Sequence, residues 1–242
     1  MPGVFSNLRR FHNFVKLSLL NEYTGYNSRL LDLAVGSGGD LNKWKRNENI
    51  IYVEGYDINK SSILEARRRL KTLSLKKPVK FFIRDLSKSI LRVPKIKFDV
   101  ISIQFAFHYF FKNEITLETI LTSIKNNSKK GTKLIITTMD SNTLRNINTP
   151  DLFVKKLYPQ GHSIDDPYGN ELEVYIKYSV LDVPTVEYVV DSSFLINKMK
   201  DCHFELIDTN SFDEFDYLKF DLSPLEKKFS FMNRAYVFER TA

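Results

Sequence analysis

The chain has 242 residues, 43% of them hydrophobic, enough to bury one substantial core, and it is read as a single domain. Its lone cysteine, Cys202, excludes an intramolecular disulfide, and no stretch approaches the length of a membrane span or a signal peptide, so a reducing, cytoplasmic setting is expected. A formal charge of +7 favours a polyanionic partner but says nothing of fold or chemistry.

The first element is an amphipathic helix over Asn7 to Tyr23, with Leu8, Phe11, Phe14, Val15 and Leu19 at helical spacing and Asn13 and Lys16 among its polar side chains. A short apolar run from Leu30 then ends in Asp32. It is followed by Gly36-Ser37-Gly38-Gly39-Asp40-Leu41 and a helix over Leu41 to Arg46 that carries Trp44. Glycines let the backbone turn sharply and a ligand approach its amides. A dinucleotide fingerprint needs a glycine where Leu41 stands, and a P-loop needs Lys then Ser or Thr after its last glycine; neither is present. With few cations and two carboxylates, Asp32 and Asp40, the turn suits a positively charged ligand bearing an amino group, of which S-adenosylmethionine is one. Taken alone, an ordinary strand-to-helix turn has the same signature.

Strand two, Ile50 to Tyr56, ends in Asp57, where a doubly wound sheet presents an acid to ribose hydroxyls. Asn59 and Ser61 are better placed to start the helix Ser61 to Leu73. Strand three, Val79 to Ile83, leads into Arg84-Asp85-Leu86, and Asp85 is positioned to accept an adenine amino group. Strand four, Phe98 to Ile103, runs into Gln104-Phe105-Ala106-Phe107-His108-Tyr109-Phe110-Phe111, a candidate stacking surface in which His108 and Tyr109 carry polar tips. A helix over Thr116 to Lys125 and a fifth strand, Lys133 to Thr138, complete the alternation expected of a parallel, doubly wound α/β sheet.

Beyond it, Asp151 to Tyr158 and Glu171 to Tyr178 are expected strands joined by a turn-rich loop from Pro159 to Gly169 that is expected to be mobile. Glu187 stands just before an expected helix, where a carboxylate also suits the helix dipole. A sixth strand, Phe204 to Asp208, and a last strand, Arg234 to Arg240, close the sheet. His12, His108, His162, His203 and Cys202 lack ligand spacing, so no metal is expected. The basic clusters Arg67-Arg68-Arg69 with Lys71, Lys76-Lys77, and Lys129-Lys130 with Lys133 are read mostly as solvated helix faces.

The residues Phe11-His12-Asn13-Phe14-Val15-Lys16, the Asp32 to Leu41 turn, Asp57, Asp85, Gln104 to Tyr109 and Thr185-Val186-Glu187-Tyr188-Val189-Val190-Asp191 carry a resemblance. Across most of its length the chain resembles the mRNA cap guanine-N7 methyltransferases, particularly those in capping enzymes of large cytoplasmic DNA viruses of the African swine fever kind. The resemblance implies a class I S-adenosylmethionine-dependent, Rossmann-like fold with a mainly parallel seven-stranded sheet and an antiparallel last strand. It implies Lys16, Asp32, Gly36, Gly38, Asp40, Asp57, Asp85, Leu86 and Gln104 as contacts to S-adenosylmethionine, with S-adenosylhomocysteine as product. Asn13, Phe107, His108, Tyr109 and Glu187 would hold the guanosine, and His108, Tyr109 and Glu187 would position it for transfer without a general base, because guanine N7 already has a free lone pair. A carboxylate at Glu187 would accept from N1 and the exocyclic amine and favour the charge left by N7 methylation.

The same resemblance implies one methyltransferase domain over 1–242, with 1–25 over the donor site and 139–190 as an insertion on the RNA-cap side. The abrupt start suggests a domain of a larger capping polypeptide. Its partners would be GpppN-capped RNA, triphosphatase and guanylyltransferase activities, and a stimulatory subunit; its setting would be the cytoplasm, a virion or a viral factory. The chain departs from the family at Ala34-Val35, where Gly-Cys is usual, and at Ser37, often Lys. Thr138-Met139-Asp140-Ser141 replaces a proline-containing loop, and Tyr236 stands only near the position of a tyrosine that contacts the RNA cap. Other readings are a methyltransferase for a small amine or another nucleobase, and a weakly active cap-binding subunit of a capping complex.

Overall fold

Apolar strands alternating with amphipathic helices form two layers of helix around one sheet. The computed structural model describes residues 4–157, 166–177 and 183–242. Its first half runs α1 (Ser6–Tyr23), β1 (Ser28–Leu33), α2 (Leu41–Arg46), β2 (Ile50–Asp57), α3 (Lys60–Thr72), β3 (Val79–Ile83) and β4 (Phe98–Gln104). A 3-10 helix (Phe107–Lys112), α4 (Glu114–Asn127) and β5 (Ser128–Met139) follow. Then come β6 (Ile147–Asn148), β7 (Leu152–Lys156), β8 (Glu171–Ile176), β9 (Thr185–Tyr188), α5 (Ser192–Asp201), β10 (Phe204–Ser211), α6 (Pro224–Ser230) and β11 (Asn233–Arg240).

The main sheet has seven strands in the order β10-β11-β5-β4-β1-β2-β3. The pairs β1 with β2, β1 with β4, β2 with β3 and β4 with β5 are parallel, while β11 is antiparallel to both β5 and β10. This is the expected class I methyltransferase fold. The strand order reverses between β1 and β4, which opens a crevice at their carboxyl ends. Alternate residues bury on opposite faces: Leu31, Ile101 and Ile136 pack toward α4 and α5, whereas Leu30, Val100 and Ile135 pack toward α1.

Local signals set several boundaries. Asn59 caps α3 by accepting from Ser62 N at 3.0 Å. Helix α4 begins at Glu114, ahead of the expected Thr116, because Asn113 and Thr116 form a reciprocal capping box. Strand β5 begins at Ser128 rather than Lys133: α4 feeds straight into it, Thr132 Oγ1 donates to Phe98 O at 2.7 Å, and Gly131 takes the bend at φ +86°.

A second, antiparallel sheet in the order β6-β7-β8-β9 stands beside the first. Its inner face joins Leu8, Phe229 and Met232 in a third apolar cluster. The last residues of the two strands expected here, Tyr158 and Tyr178, and loop residues 159–165 lie outside the described residues.

Most residues of the basic clusters are exposed, as expected, though several are paired. Arg67 donates to Phe81 O on the edge strand β3, Arg68 and Arg69 share Glu65, and Lys77 holds the carbonyls of Trp44 and Asn47 behind α2. Lys129 and Lys133 lie on β5, paired with Asp99 and Glu239.

Candidate functional site

Three carboxyl ends, of β1, β2 and β4, converge on the glycine turn after β1. Gly36 and Gly38 take φ values of +56° and +76°, which side chains with a Cβ rarely adopt. Asp57, at the end of β2, accepts the Gly36 N–H at 2.7 Å through Oδ2 and the Asn59 N–H at 2.8 Å through Oδ1. A carboxylate has about four acceptor positions, so capacity remains for further hydroxyl donors. A Cβ on Gly38 would sit 2.8 Å from Leu41 Cδ1 and 3.2 Å from both Cα and Cβ of Ala66. Gly38→Ala is therefore expected to cost about 2 to 4 kcal/mol from left-handed backbone strain and overpacking, read by urea unfolding. A loss under about 1 kcal/mol would show that the turn adapts freely.

Sequence composition suggested a turn poor in cations; the structure corrects this. Lys16 Nζ from α1 and Lys43 Nζ from α2 both lie 2.7 Å from the carboxylate of buried Asp40, and Lys43 also donates to Asn13 Oδ1 at 2.6 Å. Burial disfavours the charge on Asp40, but the two ammonium groups outweigh it and hold the carboxyl below its usual range. Asp32, equally buried, is pushed well above that range by burial first and by the charge of Asp40 second. Two ammoniums on one ionised carboxylate leave surplus positive charge, matched to an anionic group. Lys43 was not singled out in the sequence; its signal was its place three residues after Asp40 on a short helix.

At the end of β3, burial raises the Asp85 carboxyl, but hydrogen bonds from Ser87 N and Oγ outweigh it and leave it lowered. Leu86 gives its side chain to the core. Gln104, last residue of β4, has both amide atoms buried without a partner, an orphaned donor and acceptor beside the crevice. Glycine turn, Asp57 with free acceptor capacity, surplus ammonium charge and orphaned Gln104 together fit a nucleoside-bearing amino acid such as S-adenosylmethionine.

The second cluster starts where the chain leaves β4. Phe107 is 0% exposed and packs edge-on to Phe110 and Phe111, so the base-stacking role expected for it is not available. Tyr109 is the open ring at 40% exposure, 4.2 Å from the His108 ring. His108 is buried, and burial lowers its pKa to about 3, so its imidazole is neutral. Its Nε2 lies 3.5 Å from Glu187 Oε2 and has no hydrogen-bond partner. Glu187, on β9, is itself pushed up to about 7 by burial, so the contact is not an ion pair. Burial, then Glu187, then Asp57 raise the Tyr109 phenol to about 12, which ties this cluster electrostatically to the end of β2.

Asn13 is engaged at both ends of its amide, by Lys43 and by Arg9 O at 2.8 Å, which sets it on the donor side rather than with His108 and Glu187. Tyr236 is buried in the core, its hydroxyl 2.6 Å from Ser192 Oγ, and does not stand in for an exposed tyrosine. Two residues not anticipated from sequence flank the site. His12 stacks on Phe105 at 4.9 Å and bonds Ser230 Oγ at 2.9 Å. Buried Asp140 accepts from Ser192 and Arg234.

Comparison with known proteins agrees with this geometry. Residues 4–234 match the model of the mRNA (guanine-N(7))-methyltransferase domain. The chain is 30% identical over 203 residues to the mRNA cap guanine-N(7) methyltransferase of Schizosaccharomyces pombe, covering 76% of this chain and 55% of that protein. It is 28% identical over 222 residues to the mRNA-capping enzyme catalytic subunit of fowlpox virus, covering 83% of this chain and 26% of that protein. The chain thus spans about half, or less, of the length of these relatives. Among solved structures, an S-adenosylmethionine-dependent methyltransferase from Mesorhizobium loti superposes with a TM-score of 0.65 at 15% identity, over 96% of this chain and all of that one.

Proposed function

The chain belongs to the mRNA (guanine-N7) methyltransferase family, and from that premise we propose that it transfers the methyl group of S-adenosylmethionine to N7 of the guanosine in GpppN-capped RNA. The observation that carries this reading is the buried, unpartnered Nε2 of the neutral His108 imidazole, which lies 3.5 Å from the buried Glu187 carboxyl beside the donor crevice. Buried polar atoms left without partners need them from a ligand, and a carboxylate meets both N1–H and the exocyclic amine of guanine.

The donor supplies an electrophilic methyl group on a sulfonium. As the N7–carbon bond forms, the sulfur–carbon bond breaks with its electron pair going to sulfur, leaving S-adenosylhomocysteine and a cationic 7-methylguanine, with no proton moved. The protein's work is therefore placement and electrostatics. Lys16 would hold the methionine carboxylate, Asp57 the ribose, Asp85 and the Leu86 backbone the adenine, and Gln104 the donor beside Tyr109. Asp32, Gly36, Gly38, Asp40 and, through Lys43, Asn13 shape that cradle. Glu187 would orient guanine and stabilise its growing positive charge; His108 and Tyr109 would fix its edge and face.

The fowlpox relative is named as a capping-enzyme subunit and is much longer than this chain. In keeping with that, the activity would follow 5′-triphosphatase and guanylyltransferase steps on the same RNA, in the cytoplasm, with a stimulatory subunit as a further partner. No helix among the described residues is long and apolar enough to cross a membrane. The test is transfer from labelled S-adenosylmethionine to GpppA-capped RNA, with m7GpppA-capped RNA as control. Label entering only the unmethylated RNA is expected. Equal label in both, or none despite donor binding, would overturn the assignment of acceptor.

A further inference from the structure

We propose that Asp140 is a positioning residue that fastens the Glu187-bearing sheet to the parallel sheet and so holds the Glu187 carboxyl against His108; this rests on the reading of Glu187 as the guanine-binding group. Asp140 follows β5 at the ligand edge and is 2% exposed. Its Oδ1 accepts from Asn142 N at 3.0 Å, Asn142 Nδ2 at 3.1 Å and Ser192 Oγ at 2.9 Å, and its Oδ2 accepts from Arg234 Nε at 2.8 Å. One carboxylate thereby gathers the loop after β5, the start of α5 and the start of β11. Because Ser192 spends its single proton on Asp140, the Tyr236 hydroxyl donates to Ser192 across 2.6 Å, extending the chain of bonds into the core.

The backbone runs the same way. Asp140 and Val190 form a parallel bridge, and Ser141 N donates to Val190 O at 3.2 Å. Among the described residues, strand β9 is the edge of its sheet and pairs with β8 alone. Val190 lies three residues beyond Glu187, about 10 Å along an extended chain. The separation of Glu187, on the second sheet, from His108, in the 3-10 helix that follows β4 of the first, is therefore set in large part by what Asp140 holds.

Asp140→Asn would replace an acceptor with an N–H₂ facing existing donors and break the pair with Arg234. The expected result is a Kd for a GpppA analogue raised about tenfold, with the donor Kd changed less than about twofold. The deciding readout is a double-mutant cycle with Glu187→Gln, in which Asp140→Asn should cost little further analogue affinity, since a purely structural role would act equally in both backgrounds. Full loss in the Glu187→Gln background, or no loss in the parent, overturns the proposal. If Glu187→Gln alone leaves analogue affinity intact, the reading of Glu187 fails, and the positioning role with it. Should Asp140→Asn not fold, Ser192→Ala, which spares the Arg234 pair, is put through the same cycle under the same criteria.

Discussion

Affinity for a GpppA analogue is expected to rise about 30-fold between about pH 5.5 and about pH 8, following ionisation of Glu187. Burial pushes this carboxyl up to about 7 in the free protein, so at the lower pH only about 3% carries the charge that accepts from guanine N1–H and the exocyclic amine. The sign follows from linkage. Guanine favours the carboxylate, so binding lowers the pKa of Glu187 and releases a proton wherever the free protein holds one. Calorimetry in buffers of different ionisation enthalpy should detect that release below about pH 7 and none well above it. His108, lowered to about 3, stays neutral throughout and adds no second transition. Glu187→Gln should flatten the profile and weaken binding by about 3 kcal/mol, roughly a hundredfold, because the amide keeps one acceptor and turns a donor toward a donor. Donor affinity should be unchanged. A pH-independent parent, or a Gln variant that binds the analogue normally, would remove Glu187 from guanine recognition.

Much of the architecture is legible in the chain because local rules and global fold agree. The central parallel strands β1 and β4 and the end of β5 are apolar runs buried on both faces, and Asn59 stands where a helix needs a cap. The glycine turn with Asp57 and Asp85 at successive strand ends marks the crevice, since position along a doubly wound sheet implies position in space.

What was not legible depends on which face a residue takes or on partners distant in sequence. Phe107 and Tyr109 stand two apart in one aromatic run, yet the 3-10 helix buries the first and exposes the second. The turn seemed poor in cations because Lys16 arrives from α1, and only packing of that helix brings it to Asp40. The long-range role of Asp140 gave no local signal, because the partners that tie it to α5 and β11 lie 52 and 94 residues away. Tyr236 stands within the last strand, which lies inside the sheet and is buried on both faces there, so its ring is in the core with its hydroxyl on Ser192.

The two carboxyls of the donor turn should respond oppositely to removal of charge. Asp40→Ala leaves Lys16 and Lys43 without the carboxylate that both contact at 2.7 Å. Loss of one partner from a buried ion pair costs about 3 to 5 kcal/mol, a large part of the total stability of a typical domain. The folded-state pKa of Asp40 is depressed, so its contribution is present above the unfolded-state pKa and is lost as pH falls through the folded value. The destabilisation by Asp40→Ala should therefore be full near pH 8 and shrink in acid. Asp32 has the opposite sign. Its folded-state pKa is raised, so a rise in pH above the unfolded-state value increasingly penalises the fold until the folded value is passed. Asp32→Asn keeps the shape and removes that penalty, so its unfolding midpoint should equal or exceed that of the parent, with the advantage growing as pH rises. Urea unfolding at about pH 3, about pH 5 and about pH 8 reads the contrast: the Asp40→Ala loss should change between the two lower values, and the Asp32→Asn advantage between the two higher ones. An Asp40→Ala variant within about 1 kcal/mol of the parent at the highest pH would mean that the two lysines are content with solvent. A strongly destabilised Asp32→Asn would mean that the Asp32 carboxylate, not the Asp40 carboxylate, carries the charge that the turn is built around.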